Sequence, residues 1–116
     1  MAIHNEIGKL GETLAVEYFV QMGYRILYKN WRHKHWEVDL IAESEGILHF
    51  IEVKTKSSNH FGYPEEEVSR NKLQKLINAS EAFLRAFPEW QNIQFDILAI
   101  TLNPSLTYFL LEDVYL

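Results

Sequence analysis

Trp36-Glu37-Val38-Asp39-Leu40-Ile41-Ala42, then Glu43-Ser44-Glu45-Gly46, then Ile47-Leu48-His49-Phe50-Ile51-Glu52-Val53-Lys54: on this stretch the fold turns. Two apolar runs of strand length are joined by four turn-forming residues, the pattern of an antiparallel hairpin. The expected strands cover 37–42 and 47–54. Both carry carboxylates in apolar surroundings, where an unpaired charge is costly. Side chains alternate across a strand, so Glu37, Asp39 and Ile41 are expected on one face. Leu48, Phe50, Glu52 and Lys54 are expected together on one face of the next strand. A register that sets Asp39 near Glu52 would line up Glu37, Asp39, Glu52 and Lys54 on one surface.

Working outward, residues 5–22 read as a helix. Ile7, Leu10, Leu14, Ala15, Tyr18 and Phe19 recur at three-and-four spacing, and Gly23 is placed to terminate it. Residues 24–28 read as a short strand, and 30–35 as a polar, basic loop or strand end. Beyond the hairpin, 57–64 is expected as a loop broken by Gly62 and Pro64. A second helix then runs from about Pro64 to Phe87, with Glu65, Glu66 and Glu67 at its positive end. Its apolar stripe is Val68, Leu73, Leu76, Ile77, Phe83, Leu84 and Phe87, interrupted by Ser80. Residues 93–101 and 106–112 are the last strands, joined at Asn103-Pro104. The expectation is an α/β fold in the order α-β-β-β-α-β-β, a central mixed sheet flanked by helices.

A chain of 116 residues with 47% hydrophobic and 14% aromatic residues supports one core, so residues 1–116 are expected to be a single domain. With no cysteine, disulfides, thiolate zinc sites and cysteine nucleophiles are excluded. Neither a membrane-spanning run nor a secretory leader pattern is present, so a cytoplasmic protein is expected and no membrane partner. A Gly-rich phosphate loop is also missing.

The formal net charge is −5, unlike most nucleic-acid readers. Its distribution is uneven: nine of the eleven Lys and Arg residues lie between Arg25 and Lys75. One basic face, or an ordinary solvated surface, would both produce this. Arg32, Lys34, Lys56, Arg70, Lys72 and Lys75 are the candidates to position a nucleic-acid backbone without reading bases. His33 and His35, two apart, offer either a two-nitrogen metal site or more phosphate contacts. Asp96, in an apolar strand, is expected to act as a structural hydrogen-bond acceptor.

Crowded carboxylates raise one another's pKa, and a divalent cation with a preference for oxygen relieves this. Mg²⁺, or Mn²⁺, is the expected cofactor, with Asp39 and Glu52 as ligands. Such a metal would lower the pKa of a bound water and stabilise charge on an attacked phosphate. Lys54 would orient the nucleophile or stabilise the transition state as a positive charge. The competing reading is a solvated sheet face with a cross-strand ion pair.

These residues, with Gly8-x-x-Gly11-Glu12-x-x-Ala15, Gly23-Tyr24-Arg25-Ile26-Leu27, Asn30-Trp31-Arg32, Phe61-Gly62, Lys72 and Phe95-Asp96, resemble the YraN-like family. That is a group of bacterial proteins placed in the PD-(D/E)XK nuclease superfamily. The resemblance spans nearly the whole chain. It implies a restriction-endonuclease-like, Holliday-junction-resolvase-like core, nucleic-acid binding and metal-dependent endonuclease activity on DNA, branched DNA among the substrates. It adds Glu12, from the first helix, to the catalytic and metal-binding acids. By analogy with resolvases it also leaves room for a homodimer. The family pattern has glycine before Glu37, where this chain has Trp36, which would either stack on a base or pack at the rim. Three functions stay open: a metal-dependent nuclease, a nucleic-acid-binding module of the same fold with little or no catalysis, and a structural protein.

Overall fold

The structure, a computed structural model, describes residues 2–58 and 70–114. The elements run α1 (Ala2–Gln21), β1 (Arg25–His33), β2 (Trp36–Ser44), β3 (Ile47–Ser58), α2 (Arg70–Ala86), β4 (Ile93–Asn103) and β5 (Thr107–Leu111). The fold is α/β, in the expected order. The strands form one mixed sheet in the order β1-β2-β3-β4-β5, antiparallel except for the parallel β3–β4 pair. A parallel pair needs a crossover, and α2 lies within the segment that makes it. The expected start of the second helix, at 64–69 with its three glutamates, lies outside the described residues, as does most of the loop at 57–64.

Two apolar layers sandwich the sheet. On one side Val38, Ile41, Leu48 and Phe50 pack against Leu73, Leu76, Ala79 and Phe83 of α2. Phe83 centres this layer, edge-on to Tyr28, Trp31 and Phe50 at 5.3–5.7 Å between ring centroids. Ser80, the polar break in the α2 stripe, is buried and donates its hydroxyl to the Ile77 carbonyl at 2.7 Å. On the other side Leu40, Ala42, Ile51, Leu98 and Ile100 pack against Ala15 and Phe19 of α1.

The face that α1 buries is narrower than its periodicity suggests. Leu10 is 45% exposed, whereas Gly11, Ala15 and Phe19, four apart, are buried. The reason is Gly11: a Cβ there would lie 1.9 Å from Thr55 Oγ1, so α1 rests directly on β3 at that point. The helix ends as expected at Gly23, with φ of 92°, where the amides of Gly23 and Tyr24 donate to the carbonyls of Val20 and Phe19.

Of the loop or strand end expected after Tyr28, residues 30–33 are strand, continuing β1. β1 pairs with β2 out to His33↔Trp36, across a tight turn at Lys34-His35 with Lys34 at φ 56°. Asn30, Arg32 and His33 are exposed while Trp31 packs on Phe83, and polar side chains suit a strand with water on one face.

Candidate functional site

The register of β2 on β3 pairs Ser44↔Ile47 through Leu40↔Ile51 and then stops. Beyond it β2 continues with β1, and β3 continues with β4 as far as Ser58↔Asn103. The sheet therefore forks, and the next residues in register at the crotch are Asp39 and Glu52. Asp39 closes the fork: its Oδ2 accepts the Val53 amide at 2.7 Å, a backbone donor that the ended ladder no longer serves.

The fork changes which face each acid occupies. Strict alternation places Asp39 with Ile41, but both Val38 and Ile41 pack toward α2 although three residues apart. β1 makes the same slip, since Tyr28 and Trp31 both pack on Phe83. Between them Asn30 has φ of 52°, in the left-handed region that asparagine tolerates better than most residues. The strand phase reverses there, and Asp39 turns toward α1. Glu52 keeps the phase of Phe50 and stays on the α2 side. The expected single surface of Glu37, Asp39, Glu52 and Lys54 is thus corrected to acids that straddle the fork from both faces.

Two adjoining hollows of about 550 and 470 Å³ open on the α1 side. Asp39, Glu12, Lys9, Asn30 and Val53 line both. A smaller hollow of about 250 Å³ on the α2 side is lined by Glu52, Trp36, His35, Lys72 and Lys75. Glu37 lines hollows on both sides and bridges them. Glu12 reaches the site because it follows Gly11, the point at which α1 touches β3.

Burial pushes the Asp39 carboxyl up to about 7, against the Val53 hydrogen bond, and the charges of Glu52, Glu37 and Glu12 push the same way. Burial also raises Glu52, opposed by the positive charges of Lys72 and Lys54. Two carboxyls pushed toward protonation are the oxygen donors that a hard divalent cation takes. Among the described residues, no three His, Asp or Glu side chains stand close enough together to hold one as they are.

The remaining expected residues distribute as follows. Arg32 pairs with Glu37 across the hairpin at 3.0 Å, both groups well exposed, a contact worth little in stability. Lys34 sits exposed in the turn, and Arg70 is exposed at the first described residue of α2. Lys72 and Lys75 reach the Glu52 hollow. Lys54 and Lys56 lie half-buried on β3. Trp36 packs against the α2-side core and stacks on His33, with ring centroids 6.4 Å apart and planes 24° apart. His33 and His35 join this aromatic row, which gives the rings a packing partner. Asp96 is fully buried and accepts from Gln94 and the Asp113 amide, and its Oδ2 lies 2.6 Å from His49 Nδ1.

Three site residues escaped the sequence reading. Lys9 precedes Glu12 by three positions, a helical spacing that marked it as a neighbour. Lys29 carried no signal while the strand was expected to end at Tyr28, and Asn30 entered only through the family resemblance, with no role.

The family model described as "Uncharacterised protein family UPF0102" matches residues 11–100, which include Glu12, Asp39, Glu52 and Lys54. A UPF0102 protein of Flavobacterium johnsoniae is 48% identical over 107 residues, covering 89% of this chain and 87% of its own. One from Bacteroides thetaiotaomicron is 41% identical over 86% and 83% of the two chains. Another from Persephonella marina is 40% identical over 83% and 84%.

Proposed function

The chain belongs to the UPF0102, or YraN-like, family of bacterial proteins, and from that premise we propose that it is a metal-dependent endonuclease-like domain acting on DNA phosphodiester bonds. The observation that carries the proposal is the fork: a half-buried Asp39 at the crotch, with the charges of Glu12, Glu37 and Glu52, from α1, β2 and β3, acting on it.

In this reading Asp39 and Glu52 hold Mg²⁺ or Mn²⁺, with Glu12 as a further ligand and Glu37 as an accessory acid. The ion, when bound, supplies Lewis acidity at the phosphate and an activated water. The chain's own residues do the rest. The Val53 amide fixes one Asp39 oxygen, which leaves the other available to the ion. Gly11 sets the depth of α1, and so the reach of Glu12. Lys54, two residues beyond Glu52, brings the positive charge that orients the nucleophile or offsets charge on the phosphate. Lys72 and Lys75 hold the backbone beside Glu52.

The test is nicking of DNA with Mg²⁺ present by the parent, Asp39→Ala and Lys54→Ala proteins. Loss of cutting in both variants supports the reading, and variants that cut as well as the parent overturn it. A second reading rests on Trp36, whose ring lines the Glu52 hollow where the family pattern has glycine. With access narrowed there, the domain binds nucleic acid without turnover. Nucleic-acid affinity in a parent protein that never cuts would select this second reading.

A further inference from the structure

The larger α1-side hollow holds features that the acid cluster does not use. Lys9 of α1 and Lys29 of β1, both exposed, line it. Among the described residues neither side chain makes an ion pair. Val16, Leu40 and Val53 form the apolar part of the hollow's wall, and Glu12, Glu17, Thr13, Asn30 and Asp39 the polar part. Two ammonium groups over an apolar wall match a phosphate joined to a sugar and base. At about 550 Å³ the hollow falls within the range of small-ligand sites. A duplex offers only base edges in its grooves. A hollow of this size therefore admits a nucleotide only from a strand unpaired at that point.

Resting on the nuclease-like reading above, we propose that the α1-side hollow seats one unpaired nucleotide of the substrate strand, its phosphate held by Lys9 and Lys29. The lysine pairs then flank the acids from both faces, Lys9 and Lys29 on one and Lys72 and Lys75 on the other. A backbone that passes from one pair to the other crosses the fork at Glu37, which lines hollows on both sides. A strand passing from one face of the sheet to the other through the fork has to be flexible. The substrate class is accordingly DNA with an unpaired segment, such as a single strand, a flap or a junction arm. The arrangement also explains how a chain of net charge −5 grips an anion: its cations are concentrated at the acids.

The test is equilibrium binding by fluorescence anisotropy in an Asp39→Asn background, so that cutting does not consume the probe. A single-stranded oligonucleotide and a blunt duplex of the same length are compared from low to moderate salt. The Lys9→Ala/Lys29→Ala protein is expected to bind the single strand about fivefold more weakly per lysine near 0.1 M salt. Its salt slope should fall by about 0.7 per lysine. Duplex affinity should change by less than twofold, and Lys9→Arg/Lys29→Arg should restore the single-strand affinity. Both lysines are exposed, and circular dichroism checks that the variants fold. Equal loss on both probes, or no loss on either, overturns the hollow as the seat while leaving the nuclease-like reading standing. A parent that binds neither probe removes both.

Discussion

Replacing Asp39 by asparagine is expected to stabilise the protein, and to do so more at pH 8 than at pH 5. Aspartate ionises near 3.8 in the unfolded chain, but burial and three neighbouring carboxylates hold the folded group near 7. Below both values each state is protonated and nothing is lost. Between them the unfolded chain has released its proton and the folded one has not, so stability falls as pH rises, and it levels off above 7. Two pKa values this far apart cost the parent about 2 kcal/mol at pH 5 and about 4 kcal/mol at pH 8. Asparagine has no proton to lose and keeps an oxygen to accept the Val53 amide, so those sums become its gain. Urea unfolding in chelator-treated buffer, followed by tryptophan fluorescence, measures both values. Equal gains at the two pH values, or a loss at both, would refute the claim that Asp39 is a desolvated carboxylate in an acidic cluster.

Gly11→Ala should lose about 1–3 kcal/mol through overpacking, because its Cβ meets Thr55 Oγ1 at 1.9 Å. Adding Thr55→Ala should recover part of that loss in thermal unfolding. Phe83→Ala removes the ring shared by Tyr28, Trp31, Phe50 and Phe87, and chemical denaturation should report a loss of about 3–5 kcal/mol. Asp96→Ala strands His49, Gln94 and the Asp113 amide at a fully buried position. A loss of about 3–5 kcal/mol in the same assay is expected, and a neutral result would deny Asp96 its structural role.

The hairpin at 36–54 was legible because its two signals agree: apolar runs of strand length and a Gly46 turn, where φ is 80°. Helix α2 was legible for a similar reason, its stripe being dense and its one polar member, Ser80, satisfied within its own turn. Helix α1 was legible as a helix but not in its facing. Hydrophobicity pointed to Leu10, while close packing chose Gly11, whose lack of a side chain is what lets α1 touch Thr55. The basic segment 30–35 read as loop or strand end because its polar residues carry no apolar alternation. Nothing in that pattern showed the left-handed φ of Asn30, and with it the reversal of strand phase. Period-two alternation is a local rule, and it fails where one residue adopts a left-handed φ. The acids were therefore identified from the sequence, but their division between two faces of a forked sheet became visible only in the fold.

The account's central claim is that the fork acids form a hard-cation site, and calorimetric titration of the parent with Mg²⁺ or Mn²⁺ near pH 6 tests it most directly. At that pH Asp39 is largely protonated, so a metal that uses it must displace its proton. The account predicts one binding event that releases close to one proton, read from the dependence of the heat on buffer ionisation, and its loss in Asp39→Asn and Glu52→Gln. Binding that persists unchanged in both variants, or a parent that takes up no divalent ion at millimolar concentration, would contradict it.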